Sequence, residues 1–274
     1  MTLSGISKSK WSIKMGERLG HEDVNPVDPR RPKRIAIVIS NPATSTNTGW
    51  PVGFWWSELA HTFYMFIERG YEIEVFSPNG GPCKADVMSD PRDASRWSAG
   101  DLISMGFIHT PEYAQLVEQT RPAHEIDLEK FDAIVVAGGQ GPMFTFEQAK
   151  GLHEKFVAFY EAGKVAAALC HGTAILRYAR LRDGTPLVRG KIFTGFSNME
   201  EDDADEKSWV MGALPRGERI MPWRIEDEVR KLGGIYTQGG LWRSYAVRDG
   251  NLITGQQQFS GGEVGRLVVE ALGG

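Results

Sequence analysis

Short runs of apolar residues, separated by longer stretches in which apolar and polar positions recur at helical spacing, set the plan of this chain. "RIAIVIS" (34–40) is short, rich in β-branched residues and ended by "NPATSTNTG", which predicts a buried strand. "VGFWWSELAHTFYMFIERG" (52–70) has the length and the closing glycine of a helix, and "YEIEVFS" (71–77) alternates as a strand before the turn "PNGG". The rhythm breaks over about 83–124, where prolines and scattered tryptophan surround two short helical stretches near 93–105 and 111–120. This segment reads as a cap-like insert.

Regularity returns with a strand at 133–139, a helix over 147–162, a strand at 164–169 and a helix opening at His171. A strand at 191–197, an acidic segment, a helix near 225–232, a strand pair around Asp249-Gly250 and a helix from 261 complete the series. Strands alternating with helices predict an α/β fold with a mostly parallel sheet covered on both faces. In such a sheet ligands bind beyond the carboxyl ends of the strands. Three expected strand ends carry unusual sequences, "NPATSTNTG", "AGGQG" and "LCHG", and a site is expected where they meet.

Composition narrows the class. With 274 residues and 41% apolar content the chain can bury a large core. No apolar run approaches the roughly 18 residues of a membrane span, and the first twenty residues lack an apolar centre, which predicts a cytoplasmic protein that neither crosses nor binds a membrane. The net charge of -4 is uneven: residues 1–34 hold eight basic against four acidic side chains, leaving -8 on the rest. Residues 1–33 read as an N-terminal arm before a domain spanning 34–274. Its "DPRRPKR" is too short, and too poor in interleaved aromatics, to argue for nucleic acid.

Only Cys83 and Cys170 occur, so no disulfide framework is expected. "KVAAALCHGTAIL" (164–176) puts Cys170 where a buried strand gives way to a helix, the layout of a nucleophile elbow, with Ala168 and Gly172 relieving the crowding. Backbone N–H groups and the helix dipole should lower the thiol pKa there. His171 could accept the proton, given a third group to orient it. "AGGQG" (137–141) could bring backbone N–H groups to a developing oxyanion, although it could equally be a tight turn. Glu58, among the aromatics of "GFWWSELAHTFYMF", is expected to be buried and therefore protonated, the alternative being a carboxylate on the exposed stripe of an amphipathic helix. The run "EEDDADE" (200–206) lacks histidines at ligand spacing and reads as a solvated loop with no metal. Cys83 reads as a bystander.

With "ALCHG", "AGGQG" and the glutamate of "TGWPVGFWWSELAH" in this order, together with "TGFSNMEE", "SPNGG" and "YAVRDGNLITGQ", the chain resembles the ThiJ/PfpI superfamily from about residue 34 to 272. The branch it looks most similar to contains glutathione-independent glyoxalases and heat-shock-type chaperones. The resemblance implies a flavodoxin-like three-layer sandwich and a homodimer. It implies Cys170 as nucleophile, His171 as its neighbour, Glu58 as the acid touching the sulfur and Glu201 as the acid orienting the histidine. Gly139 and the His171 N–H would form the oxyanion site, with Gln140 beside it. The implied reaction converts a small electrophile, a 2-oxoaldehyde such as methylglyoxal, to a 2-hydroxy acid with no metal or organic cofactor. Amide hydrolysis, hydration of another electrophile, a holdase or a redox sensor are the other readings of the same features. Two positions depart from the superfamily pattern: its usual histidine in the glycine loop is Gln140, and the proline common after "CHG" is Thr173. Trp50, Trp55 and Trp56 point to a pocket or interface of this chain's own.

Overall fold

The computed structural model describes residues 32–274, so nearly all of the expected N-terminal arm lies outside the described residues. Seven strands form the central sheet: β1 (Arg34–Val38), β2 (Glu72–Ser77), β3 (Arg121–Pro122), β4 (Ala133–Val136), β5 (Val165–Leu169), β6 (Ala246–Asp249) and β7 (Leu252–Gly255). Their order is β6-β7-β5-β4-β1-β2-β3, and every pairing is parallel except the β6–β7 hairpin.

Period-two alternation explains the layers. Ile35 and Ile37 join Val135, Ala167 and Leu169 in one core, while Ala36 and Val38 join Ile134, Val136 and Ala168 in the other. The first core is covered by α1 (Trp56–Ile67) and α7 (Gly261–Ala271), which pack on each other through Thr62, Met65 and Gly265. The second is covered by α4 (Lys150–Glu161) and α6 (Ile225–Lys231). Because both faces are buried, β4 and β5 read as unbroken apolar runs rather than alternating ones. This is the mostly parallel sheet covered on both faces that the pattern predicts, and the flavodoxin-like sandwich that the resemblance implies.

After β1 the chain adds strands on one side, β2 and β3, and then returns to place β4 on the other side of β1. The crevice beyond the carboxyl ends of β1, β4 and β5 is therefore the topological switch point.

Several elements differ from expectation. Between 83 and 124, α2 (Leu102–His109) begins later than the pattern implied, because Asp101 caps it by accepting from the Ser104 N–H, and α3 (Pro111–Glu118) follows. Of the strand expected at 191–197, only Ile192–Phe193 forms, paired with Ile235–Tyr236 outside the main sheet. The acidic run is no solvated loop. It is α5 (Asn198–Val210), opened by a reciprocal capping box between Ser197 and Glu200, with Glu200, Glu201 and Asp205 turned inward. Among the described residues, no helix is long and apolar enough to cross a membrane.

Candidate active site

The elbow at the end of β5 is real and strained. Cys170 has φ of 54°, a left-handed conformation that non-glycine residues seldom adopt. A short 3-10 helix, Cys170–Arg177, follows in place of the α-helix expected from His171. Gly172 is required by contact: a Cβ there would sit 2.5 Å from the Val136 carbonyl oxygen. Thr173 takes a part its proline counterpart could not, since its hydroxyl donates to the Cys170 carbonyl at 2.6 Å and ties the elbow to its own next turn.

The twist at Cys170 brings two consecutive side chains together that would otherwise point apart. Its Sγ lies 3.6 Å from His171 Nδ1, and His171 Nε2 lies 3.2 Å from Glu201 Oε1. Phe196 stacks on the imidazole with ring centroids 4.2 Å apart, fixing its plane. Cysteine, histidine and glutamate thus form one buried line. Glu201 reaches it because α5 is a helix.

Glu58 stands on the other side of the sulfur. It is fully buried in α1, accepts the Gly138 N–H at 2.6 Å through Oε2, and sets its carboxyl against the Cys170 thiol. Among the described residues, its Oε1 has no hydrogen-bond partner beyond the thiol it faces. Burial pushes its pKa up to about 8, so it is a neutral acid at pH 7, as the aromatic surroundings implied.

The thiol departs from expectation. Burial and the adjacent Glu58 push Cys170 well above the ordinary thiol range, although the backbone N–H groups of His171 and Gly139 pull the other way. A helix N-terminus lowers a thiol pKa where water also reaches the sulfur, and here desolvation wins. At rest the buried acid and the buried thiol each keep a proton.

Gly139 can bring its N–H to the sulfur only as glycine. Its φ is 93°, and a Cβ would fall 2.5 Å from the Gly53 carbonyl oxygen. The loop is held from the far side by Asp86, whose carboxylate accepts the Gly53 N–H at 2.9 Å and the Gln140 N–H at 2.5 Å. Asp86 is itself buried, with its pKa raised to about 7 by desolvation. Nothing in "CKADV" marks this aspartate in the sequence. Phe196 and Glu200 escaped notice for the same reason: Glu200 braces the site at a distance, accepting from Gln256 Nε2 at 2.8 Å and the Trp242 N–H at 3.1 Å.

Of the seven residues singled out from sequence, Trp55, Gly139, Gln140, Cys170, His171 and Glu201 line a single cavity of about 380 Å³, and Glu58 lies beneath its floor. Trp50 lines it as well, whereas Trp56 turns into the core against Phe54. Among the described residues, the buried Oε1 of Gln140 has no hydrogen-bond partner at the cavity edge. Among the described residues, no group of three or more His, Cys, Asp or Glu side chains is arranged to hold a metal ion.

A sequence model of the DJ-1/PfpI family matches residues 53–271. The chain belongs to that family. It is 26% identical over 245 residues to Glyoxalase 3 of Candida albicans, covering 87% of this chain and 98% of that protein. It is 24% identical over 253 residues to the glutathione-independent glyoxalase HSP31 of Saccharomyces cerevisiae, covering 88% of this chain and 98% of the other. The crystal structure of glyoxalase III from Candida albicans superposes with a TM-score of 0.72 at 25% identity, over 87% of this chain and 97% of that one.

Proposed function

We propose that this DJ-1/PfpI protein is a glutathione-independent glyoxalase-type enzyme that uses Cys170 to convert a 2-oxoaldehyde and water to a 2-hydroxy acid. The observation that carries the reading is the pair of proton-exchanging groups flanking one strained thiol: neutral Glu58 on one side, and His171 held by Glu201 on the other. The names of the relatives at similar length support it.

The protons balance without any co-reactant. His171 takes the thiol proton as sulfur adds to the aldehyde carbon, and Glu58 gives its proton to the aldehyde oxygen, forming a hemithioacetal. The His171 and Gly139 N–H groups stabilise negative charge, first on sulfur and then on that oxygen. Glu58, now a carboxylate in a dry site, removes the proton from the former aldehyde carbon while His171 protonates the neighbouring carbonyl oxygen. Glu58 then delivers its proton to that neighbouring carbon and recovers one from the first hydroxyl, leaving a thioester of the 2-hydroxy acid. Water cleaves the thioester, and the thiol is restored. The shuttle demands an acid that is protonated at rest yet able to ionise, and a pKa of about 8 meets that demand.

The test is formation of 2-hydroxy acid from methylglyoxal or phenylglyoxal without glutathione or added metal, comparing wild type with Cys170→Ala and Glu58→Gln. Turnover lost in both variants supports the reading. A folded wild type that leaves both aldehydes untouched overturns it, and directs attention to amides as substrates of the same thiol.

A further inference from the structure

The cavity above Cys170 is much larger than the smallest 2-oxoaldehyde requires. About 380 Å³ is the scale of pockets that enclose drug-sized ligands. A methyl substituent would leave most of that space to water, which weakens every electrostatic contact the shuttle depends on.

Away from the thiol the walls are apolar and come from separate parts of the chain. Trp50 precedes α1, Met88 and Trp97 lie between β2 and α2, Met211 and Met221 follow α5, and Trp242 precedes β6. With Trp55, four of the eight tryptophans of the chain converge on this one space. Tryptophan offers flat faces for an aromatic ring, and methionine adapts its shape around one. Trp97 is 55% and Met211 62% exposed, so among the described residues two large apolar side chains at the mouth are left uncovered.

Charge narrows the substituent further. Among the described residues, Lys207 is the only lysine or arginine lining the cavity. It is paired with Asp203 at 2.5 Å and lies over the Trp242 ring. The lining carboxyls, Asp86 and Glu201, are committed to the glycine loop and to His171. A phosphate or carboxylate on the substrate would find no counter-charge and two acids nearby.

Resting on the glyoxalase-type reading, we propose that the substrate class is a 2-oxoaldehyde with a bulky, uncharged aryl substituent, held against the tryptophan and methionine walls with its aldehyde carbon at Cys170. Filling the cavity both adds apolar contact and expels water from the reacting end.

The experiment compares kcat/KM for phenylglyoxal and methylglyoxal in the wild-type chain, then in Trp97→Ala and Met211→Ala, whose exposed side chains can be removed without opening the core. Wild type should prefer phenylglyoxal by about tenfold or more, and each variant should cut that ratio by about threefold or more. A wild-type ratio at or below one overturns the proposal, as does a preference that both variants leave intact. Calorimetric titration of wild type with acetophenone and with acetone, which undergo no shuttle, separates the two readings. If neither aldehyde is turned over, the reaction assignment falls; saturable binding of acetophenone but not acetone then still supports an aryl site, and equal behaviour of the two ketones overturns it.

Discussion

The two cysteines of this chain are equally buried and chemically unlike. Cys83 and Cys170 are 3% and 2% exposed, and desolvation is the first cause raising each thiol pKa. Among the described residues the hydrogen-bond partners of Cys83 are a hydroxyl, an amide and a carbonyl: Thr120 Oγ1 at 3.7 Å, with Asn41 Nδ2 and the Gly81 carbonyl oxygen each at 3.9 Å. None of these exchanges a proton near neutral pH. Around Cys170 stand a carboxyl with a pKa of about 8 and a histidine backed by a second carboxyl. Burial therefore does not make a cysteine reactive or inert. What separates the pair is whether a neighbour can accept the proton and whether backbone N–H groups face the charge left behind.

The sharpest way to break this comparison is to remove each sulfur in turn. Cys170→Ala should lower kcat/KM for a 2-oxoaldehyde by at least about a thousandfold, whereas Cys83→Ser should stay within about twofold of wild type. Comparable losses in the two variants would sink the distinction. Glu58→Gln comes next, with an expected loss of about 10²- to 10⁴-fold and a retained fold by circular dichroism. The proposed shuttle requires Glu58 protonated at rest, so the rate should fall as pH rises through about 8. Glu201→Gln should cost about 10- to 100-fold in kcat with little change in KM, since on the proposed mechanism the carboxylate 3.2 Å from His171 Nε2 orients the imidazole.

Stability offers a smaller effect on the same axis. Glu58 and Asp86 have pKa values raised from 4.5 and 3.8 to about 8 and about 7, so over that interval the unfolded chain releases protons that the folded chain retains. The stabilising contribution of these two groups is full below about pH 4 and is lost as pH rises towards 8. Glu58→Gln should flatten that decline and gain a few kcal/mol at pH 8 in denaturant titrations, even as it loses activity. The least of these effects is Thr173→Val, which leaves the Cys170 carbonyl without its 2.6 Å donor and should cost about 1 kcal/mol of stability.

Much of this molecule is written in local pattern. Buried parallel strands declare themselves as short apolar runs, as "RIAIV", "AIVV" and "VAAAL" do, because both faces of the sheet are covered. The elbow announces itself in the same way, since a strained turn between strand and helix tolerates only small flanks. Glu58 could be read as a buried acid from its aromatic neighbours alone. Glu201 was reached through family resemblance, while its local sequence pointed to a solvated acidic loop. That reading failed because a helix with seven acidic or basic residues among its thirteen has no visible apolar stripe, and only packing against Gln256, Trp242 and His171 turns Glu200 and Glu201 inward.

Three further features belong to tertiary structure. Asp86 braces the glycine loop across 54 positions of chain, a contact that no local spacing encodes. The thiol pKa rises where a helix-start argument predicts a fall, because desolvation depends on everything packed around the sulfur. The tryptophans and methionines of the cavity come from separate segments, each ordinary alone. Sequence located most of the elements and the cysteine at the elbow because those follow from neighbours along the chain. The protonation states, the brace and the shape of the pocket follow from neighbours in space, which only the fold supplies.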